Sequence, residues 1–208
     1  MAKKLPVQIT PRVRAGFSKF LYERDTKFAK DDAKAKYSFK VMLPKDEVAD
    51  MVAAVDNGKT KISGEEWIAQ LNQMHADAGG KDPLVKDGDQ QKDKEGNVYS
   101  DSEGCWVVQM KSGYAPKLVD TKKNDLGATR IFGGDIVKVA FRPDTYEGFG
   151  GGVTLYLNSV MLIEKNSGDG ASAFGDDEEG YVADQAEADV FGDAGEPEMA
   201  GADNAGDY

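Results

Sequence analysis

The sequence predicts a mainly β protein: a small barrel of five or six strands with one helical insertion, followed by a long acidic end. Three observations carry this reading. Short alternating apolar runs bounded by turn residues recur between residues 15 and 165, and they do not alternate regularly with helices, as an α/β sheet requires. Helix-start signals cluster between Asp46 and Ser63. After Lys165 the apolar pattern stops.

Ala15 to Tyr22 (AGFSKFLY) is aromatic-rich and reads as a strand. Ala35 to Leu43 (AKYSFKVML) is a second, with Tyr37, Phe39, Val41 and Leu43 on one face and Pro44 closing it. Asp46 reads as the N-cap of a helix carrying Val48, Met51, Val52 and Val55, stopped by Asn57-Gly58. Ser63 with Glu66 three residues on is a capping box, and Trp67, Ile68, Leu71 and Met74 follow at helical spacing. Gly79 to Ser102 is a polar connection. Gly104 to Lys111 is a strand, and Tyr114 to Asp120 a short one. Asp135 to Arg142 (DIVKVAFR) and Val153 to Glu164 (VTLYLNSVMLIE) are strong strands, and the glycine-rich connection between them predicts an antiparallel pair.

The net charge of −11 over 208 residues is unevenly spread. Asn166 to Tyr208 holds 13 Asp/Glu and no Lys or Arg, which leaves residues 1–165 with 26 cations against 24 carboxylates. A slightly basic body with an acidic end suggests a polyelectrolyte partner. The end cannot bury enough apolar surface to offset ordering entropy, so it is expected to be disordered. As a coil of 43 residues it reaches roughly 35 Å, enough to fold back across a small domain. The lone Cys105 excludes an internal disulfide and fits a reducing compartment. Met-Ala-Lys-Lys-Leu-Pro is no secretory signal, and no apolar run approaches the roughly 20 residues that span a bilayer. A soluble protein of the host cell cytoplasm, with no membrane contact, is expected.

Most candidate chemistry fails on inspection. Gly58-Lys59-Thr60 resembles the end of a phosphate loop, but Ala53 stands where that loop needs its first Gly. Gly148, Gly150, Gly151 and Gly152 suggest a dinucleotide loop, yet no strand–loop–helix surrounds them. Gln91, Asp93 and Glu95 echo a calcium loop whose first position is not acidic and whose last is Ser102. One His75 and one Cys105 support neither a zinc site nor a nucleophile pair. No catalytic residues, cofactor or metal are assigned.

What remains is cations interleaved with aromatics on strands, the mixture that holds single-stranded nucleic acid. The candidates are Lys19, Tyr22, Lys40, Trp106, Lys111, Tyr114, Lys117, Lys138, Arg142, Tyr146 and Phe149. Tyr37, Phe39 and Phe141 share faces with valines and read as core. Trp106 lies with Val108 and Met110, and core and stacking platform both stay open for it. Tyr22, Tyr114, Tyr146 and Phe149 fall at strand ends or in loops, where rings are exposed.

The chain from Ala115 to Lys165 resembles the phage single-stranded DNA-binding proteins typified by that of Enterobacter phage Enc. The marks are Pro116-Lys117-Leu118-Val119-Asp120, Phe132-Gly133-Gly134 and Gly151 to Val160 (GGVTLYLNSV), with Pro83 to Asp89 (PLVKDGD) and Gly104-Cys105-Trp106 upstream. A more distant likeness is to the replication single-strand-binding protein of T-seven-type phages: the Met-Ala-Lys-Lys start, Ile131 to Gly134, Ser159 to Leu162 and the acidic end with a terminal aromatic. The resemblance implies an OB-fold over residues 15–165, a short extension before it (1–14) and a disordered acidic tail after it (166–208). It implies coating of single strands during replication and recombination. It also implies that the tail, through Asp207 and Tyr208, contacts replication enzymes such as the phage DNA polymerase and helicase-primase. A homodimer is left open. The rival from another class is an acidic DNA mimic that binds host proteins, but that would need its carboxylates ordered on the folded surface.

Overall fold

The computed structural model describes residues 5–26 and 34–166. Two short strands come first, β1 (Gln8–Ile9) and β2 (Val13–Ala15). Both lie antiparallel to one later strand and act as a single bent strand, so the sheet begins ahead of residue 15. The strand expected over residues 15–22 does not form; past Ala15 the chain makes a 3-10 turn at Lys19–Leu21. Three-residue periodicity brings Phe17 and Phe20 to the same side, rings 5.8 Å apart and edge to face, while Leu21 is buried. A strand would have sent those two rings to opposite faces. The third strand, β3 (Tyr37–Pro44), forms as the alternation predicts, with Phe39, Val41 and Leu43 buried and Lys40 outward.

The helix expected from Asp46 to Val55 is replaced by turns and a hairpin of β4 (Val52–Val55) and β5 (Thr60–Ser63). Ala53 and Val55 are buried and Val52 is exposed, a period of two. Asp56, Asn57 and Gly58 take φ of 52°, 60° and 83°, a left-handed run that these residue types tolerate and that reverses the chain. Pairing of Ala54 with Ile9 on β1 completes the sheet, so tertiary pairing overrides the helical spacing of the valines. The phosphate-loop reading fails here too, because Gly58-Lys59-Thr60 leads out of a hairpin turn.

The capping box is real. Helix α1 (Gly64–Asp77) starts where the Ser63 hydroxyl accepts from the Glu66 amide at 3.2 Å. Trp67, Ile68 and Leu71 are buried. The Trp67 indole meets Phe141 edge to face at 5.9 Å and donates to Gln8 Oε1 at 2.9 Å inside the core. His75 is a packing residue: its Nδ1 accepts from the Val153 amide at 2.9 Å.

Five strands follow: β6 (Lys86–Asp87), β7 (Cys105–Ser112), β8 (Lys117–Val119), β9 (Ile136–Tyr146) and β10 (Gly152–Glu164). The polar connection before β7 is a folded loop, with one antiparallel bridge between Lys92 and Val98 and Ser102 Oγ donating to the Tyr99 carbonyl at 3.1 Å. It returns so closely that a Cβ at Gly88 would stand 1.9 Å from the Ser102 carbonyl oxygen, so only glycine fits there. Strand β9 runs past Arg142, where a turn was expected, to Tyr146. Pro143 is tolerated because β1 pairs with β9 only at Phe141 and Ala140, so beyond Phe141 the missing N–H faces no strand.

Taken round the barrel, β1 with β2 is followed by β3, β7, β10 and β9, and β9 closes onto the first. All these neighbours are antiparallel except β7 and β10. This is the OB-like five-stranded barrel with a helical insertion, here placed between β3 and β7. Val13, Phe39, Val41, Val108, Val139 and Leu155 fill its interior. Behind the Phe132–Gly134 turn, the buried Asp135 carboxylate accepts from the Phe132 and Asn166 amides and from Lys165 Nζ, each at 2.8 Å. Among the described residues no helix is long and apolar enough to cross a membrane.

Candidate nucleic-acid interface

The pleat of β3 and β7 turns Ser38 and Lys40 outward beside Gln109 and Lys111, with Ser38 opposite Lys111 and Lys40 opposite Gln109. The segment after β2 and the loop before β7 rise as walls over these strands. Between them lies a groove of about 380 Å³ lined by Phe17, Phe20, Lys40, Tyr99 and the side chains between. Phe17 is 60% exposed and Tyr99 49%, so two rings are open to a ligand. The outer faces of these strands are the surface on which OB-folds bind oligonucleotides. At the base of the loop, Met42, Cys105 and Val107 form a small apolar cluster, and burial pushes the Cys105 thiol upward, away from the reactive thiolate.

A continuous row of outward residues leaves the groove across four strands: Ser38 faces Lys111, Lys111 faces Tyr156, and Tyr156 faces Arg142. Tyr156 and Arg142 then wall a second hollow of about 260 Å³ with Tyr114, which is 85% exposed. Cations and rings thus alternate around the outside of the barrel, the mixture of residue types that single-strand-binding surfaces use.

The sequence candidates divide accordingly. Lys40, Lys111, Tyr114 and Arg142 lie on this band, and Lys117 is exposed on β8, opposite Ser159 of β10. Tyr146 is exposed at the end of β9. Lys19 is exposed and paired with Glu23 at 3.1 Å. Lys138 is half-buried in another hollow, among Arg12, Arg14, Glu47 and Asp50. Trp106 is on the inner side of β7, packed against the core, with Lys45 Nζ 5.0 Å from its ring centre. That ammonium is held above its usual range by the hydrogen bonds it donates to the carboxylates of Asp87, at 2.5 Å, and Asp89, at 2.7 Å. Tyr22 also leans on the core. Its hydroxyl accepts from the Ile131 amide at 2.6 Å and the Arg130 guanidinium lies 4.9 Å from its ring centre. The Phe149 side chain and residues Asp207 and Tyr208 lie outside the described residues.

Four aromatic residues of the band escaped sequence reasoning. Phe17 and Phe20 were hidden by the strand reading of their segment, although their spacing of three is the signal of a turn. Tyr99 sits in a connection that composition marks only as polar. Tyr156 was legible, since Val153, Leu155 and Leu157 alternate inward and leave Tyr156 outward.

Among the described residues, no three His, Cys, Asp or Glu side chains gather as a metal site. The closed barrel with its outer groove defines the chain as an OB-fold protein whose open surface is an extended band rather than an enclosed cleft. The family model described as Enterobacter phage Enc34, ssDNA-binding protein matches residues 7–191, and the chain belongs to that family. The chain resembles the solved single-stranded DNA-binding protein of bacteriophage Enc34 in a C-terminal truncation: TM-score 0.55, 19% identity, covering 80% of this chain and 97% of that one. It also resembles that phage protein in complex with ssDNA: TM-score 0.54, 20% identity, covering 80% and 98%. The single-stranded DNA-binding protein gp2.5 of bacteriophage T7 matches with TM-score 0.49 and 18% identity over 86% and 98%. A sequence search of curated proteins finds no match.

Proposed function

We propose that this protein binds and protects single-stranded DNA, as a non-catalytic component of phage DNA replication and recombination in the host cytoplasm. The carrying observation is the row Ser38, Lys111, Tyr156, Arg142, which joins the groove at Phe17 and Tyr99 to the hollow at Tyr114. Family membership supports the same reading, since a relative was solved in complex with ssDNA. Lysines and Arg142 follow the phosphates, and the rings stack on bases of any sequence.

The acidic segment after Asn166 competes with DNA for that band. Its starting point supports this. Lys165 and Asn166 bond to Asp135, and the Gly134 amide beside it donates to the Ala15 carbonyl at 2.8 Å, next to Gly16 on the groove wall. A tethered polyanion beginning there acts as an intramolecular ligand at high effective concentration. DNA displaces it and frees the terminal Asp207-Tyr208 to contact the replicative polymerase and helicase-primase. A homodimer is compatible with this arrangement.

The test is binding of a labelled oligo-dT across a salt series. The log–log slope should be about −0.7 per neutralised phosphate. Equal or tighter binding to a blunt duplex of the same length would overturn the proposal.

A further inference from the structure

The groove at Phe17 and Tyr99 has a polar lining that stacking and phosphate contact do not use. Gln91 Nε2 is buried and has no hydrogen-bond partner among the described residues. Its backbone is fastened on both sides, the amide donating to the Gly88 carbonyl at 3.0 Å and the carbonyl accepting from the Tyr99 amide at 3.2 Å. Gln91 and the exposed Tyr99 both line the groove. A buried amide nitrogen without an acceptor carries a desolvation cost that a ligand acceptor removes. The terminal torsion of glutamine is soft, so the amide can turn toward a ligand without moving the chain.

The charge of the lining points to the ligand's chemistry. Among the described residues that line the groove, Asp101 supplies a carboxylate and Lys40 is the single cation. The Asp101 carboxylate repels a phosphate, so the sugar–phosphate path belongs to Lys40 and Lys111 at the groove's edge. Carboxylates accept hydrogen bonds from amines, and three of the four bases carry an exocyclic amine; thymine does not. Cytosine offers its N4 amine beside a ring acceptor. That edge matches a carboxylate acceptor together with an amide donor.

Resting on the single-strand reading above, we propose that this groove reads the edge of one base. Gln91 donates to a ring or carbonyl acceptor, Asp101 accepts from the exocyclic amine, and Tyr99 supplies the stacking face. The protein then has a built-in preference against thymine at one position of its footprint, on top of sequence-tolerant binding elsewhere.

The experiment compares oligo-dC with oligo-dT of equal length, at one neutral pH and one salt concentration, for the full-length protein and its Gln91→Leu, Gln91→Glu and Asp101→Ala variants. Gln91→Glu keeps the shape and removes the donor, so it guards against a loss caused by repacking. Each variant should lower affinity for oligo-dC by about tenfold relative to its effect on oligo-dT, with melting temperatures unchanged. Equal losses on the two oligonucleotides, or no loss on either, would overturn base reading and leave single-strand binding intact. Failure of the unmodified protein to bind either oligonucleotide would instead overturn the function on which this inference rests.

Discussion

Tyr156 on β10 stands directly opposite Lys111 on β7, in the barrel's one parallel pairing. The register places an exposed ring beside an ammonium where the groove ends and the second hollow begins. Replacing Tyr156 or Tyr114 by Ala should weaken binding of oligo-dT by about 1–3 kcal/mol each. Melting temperature should stay constant, because both rings are exposed. Normal affinity in both variants would remove the second hollow from the interface.

Trp106 and Tyr22 should behave in the opposite way, since both rings lean on the core. Trp106→Ala should cost about 2–3 kcal/mol of stability. Tyr22→Phe deletes the hydroxyl that accepts from the Ile131 amide and should cost about 1–2 kcal/mol. Chemical denaturation measures both losses. Affinity for oligo-dT, taken where the variants are folded, should be unchanged; a drop without a stability loss would return these rings to the interface.

Asp135 is fully buried and satisfies two backbone amides and Lys165. Asp135→Ala strands those amides and should destabilise the domain by about 2–4 kcal/mol. Lys165→Met should cost less, because Lys165 is partly exposed and its partner keeps both amide donors. Denaturant midpoints of the two variants test that order.

Three aspartates have carboxyls held below their ordinary range. Asp89 is held below the ordinary value of 3.8 chiefly by the hydrogen bond from Lys45, Asp93 by the Asn97 amide, and Asp120 by the Asn124 side chain. A depressed carboxylate stabilises the fold above its unfolded value, and that stability is lost as pH falls through the lower folded value. Thermal stability should therefore decline below about pH 4. Asp93→Asn with Asp120→Asn should flatten the decline. Lys45, raised from 10.5, has the opposite sign: its contribution is present below that value and lost at still higher pH. An unchanged acid profile in the double variant would show that these turns carry no pH dependence.

Truncation after Asn166 keeps the amide bonded to Asp135 and removes the acidic segment. Competition by that segment predicts tighter single-strand binding, with the gain largest at low salt and shrinking as salt screens the charge. Equal affinity of the two forms at every ionic strength would rule the competition out.

Alternation by itself determined β3, β7, β9 and β10, because a strand with one buried face writes its period into consecutive residues. Ser63 and Glu66 determined the start of α1 for a similar reason: the cap is a contact between near neighbours in the chain. The charge imbalance after Asn166 is likewise a property of composition alone. The tertiary structure decided what depends on distant partners. Val52 to Val55 carries both helical and strand spacing, and pairing of Ala54 with Ile9 on β1 selects the strand. Trp106 and Lys40 look equally suited to DNA in sequence, yet the register of β7 against β3 sends Trp106 inward and leaves Lys40 on the groove. The groove itself joins Phe17, Lys40, and the pair Gln91 and Tyr99 from three separate segments. No local pattern encodes that meeting, because it is made by barrel closure and by the loop folding back on Gly88, both contacts between residues far apart in the chain.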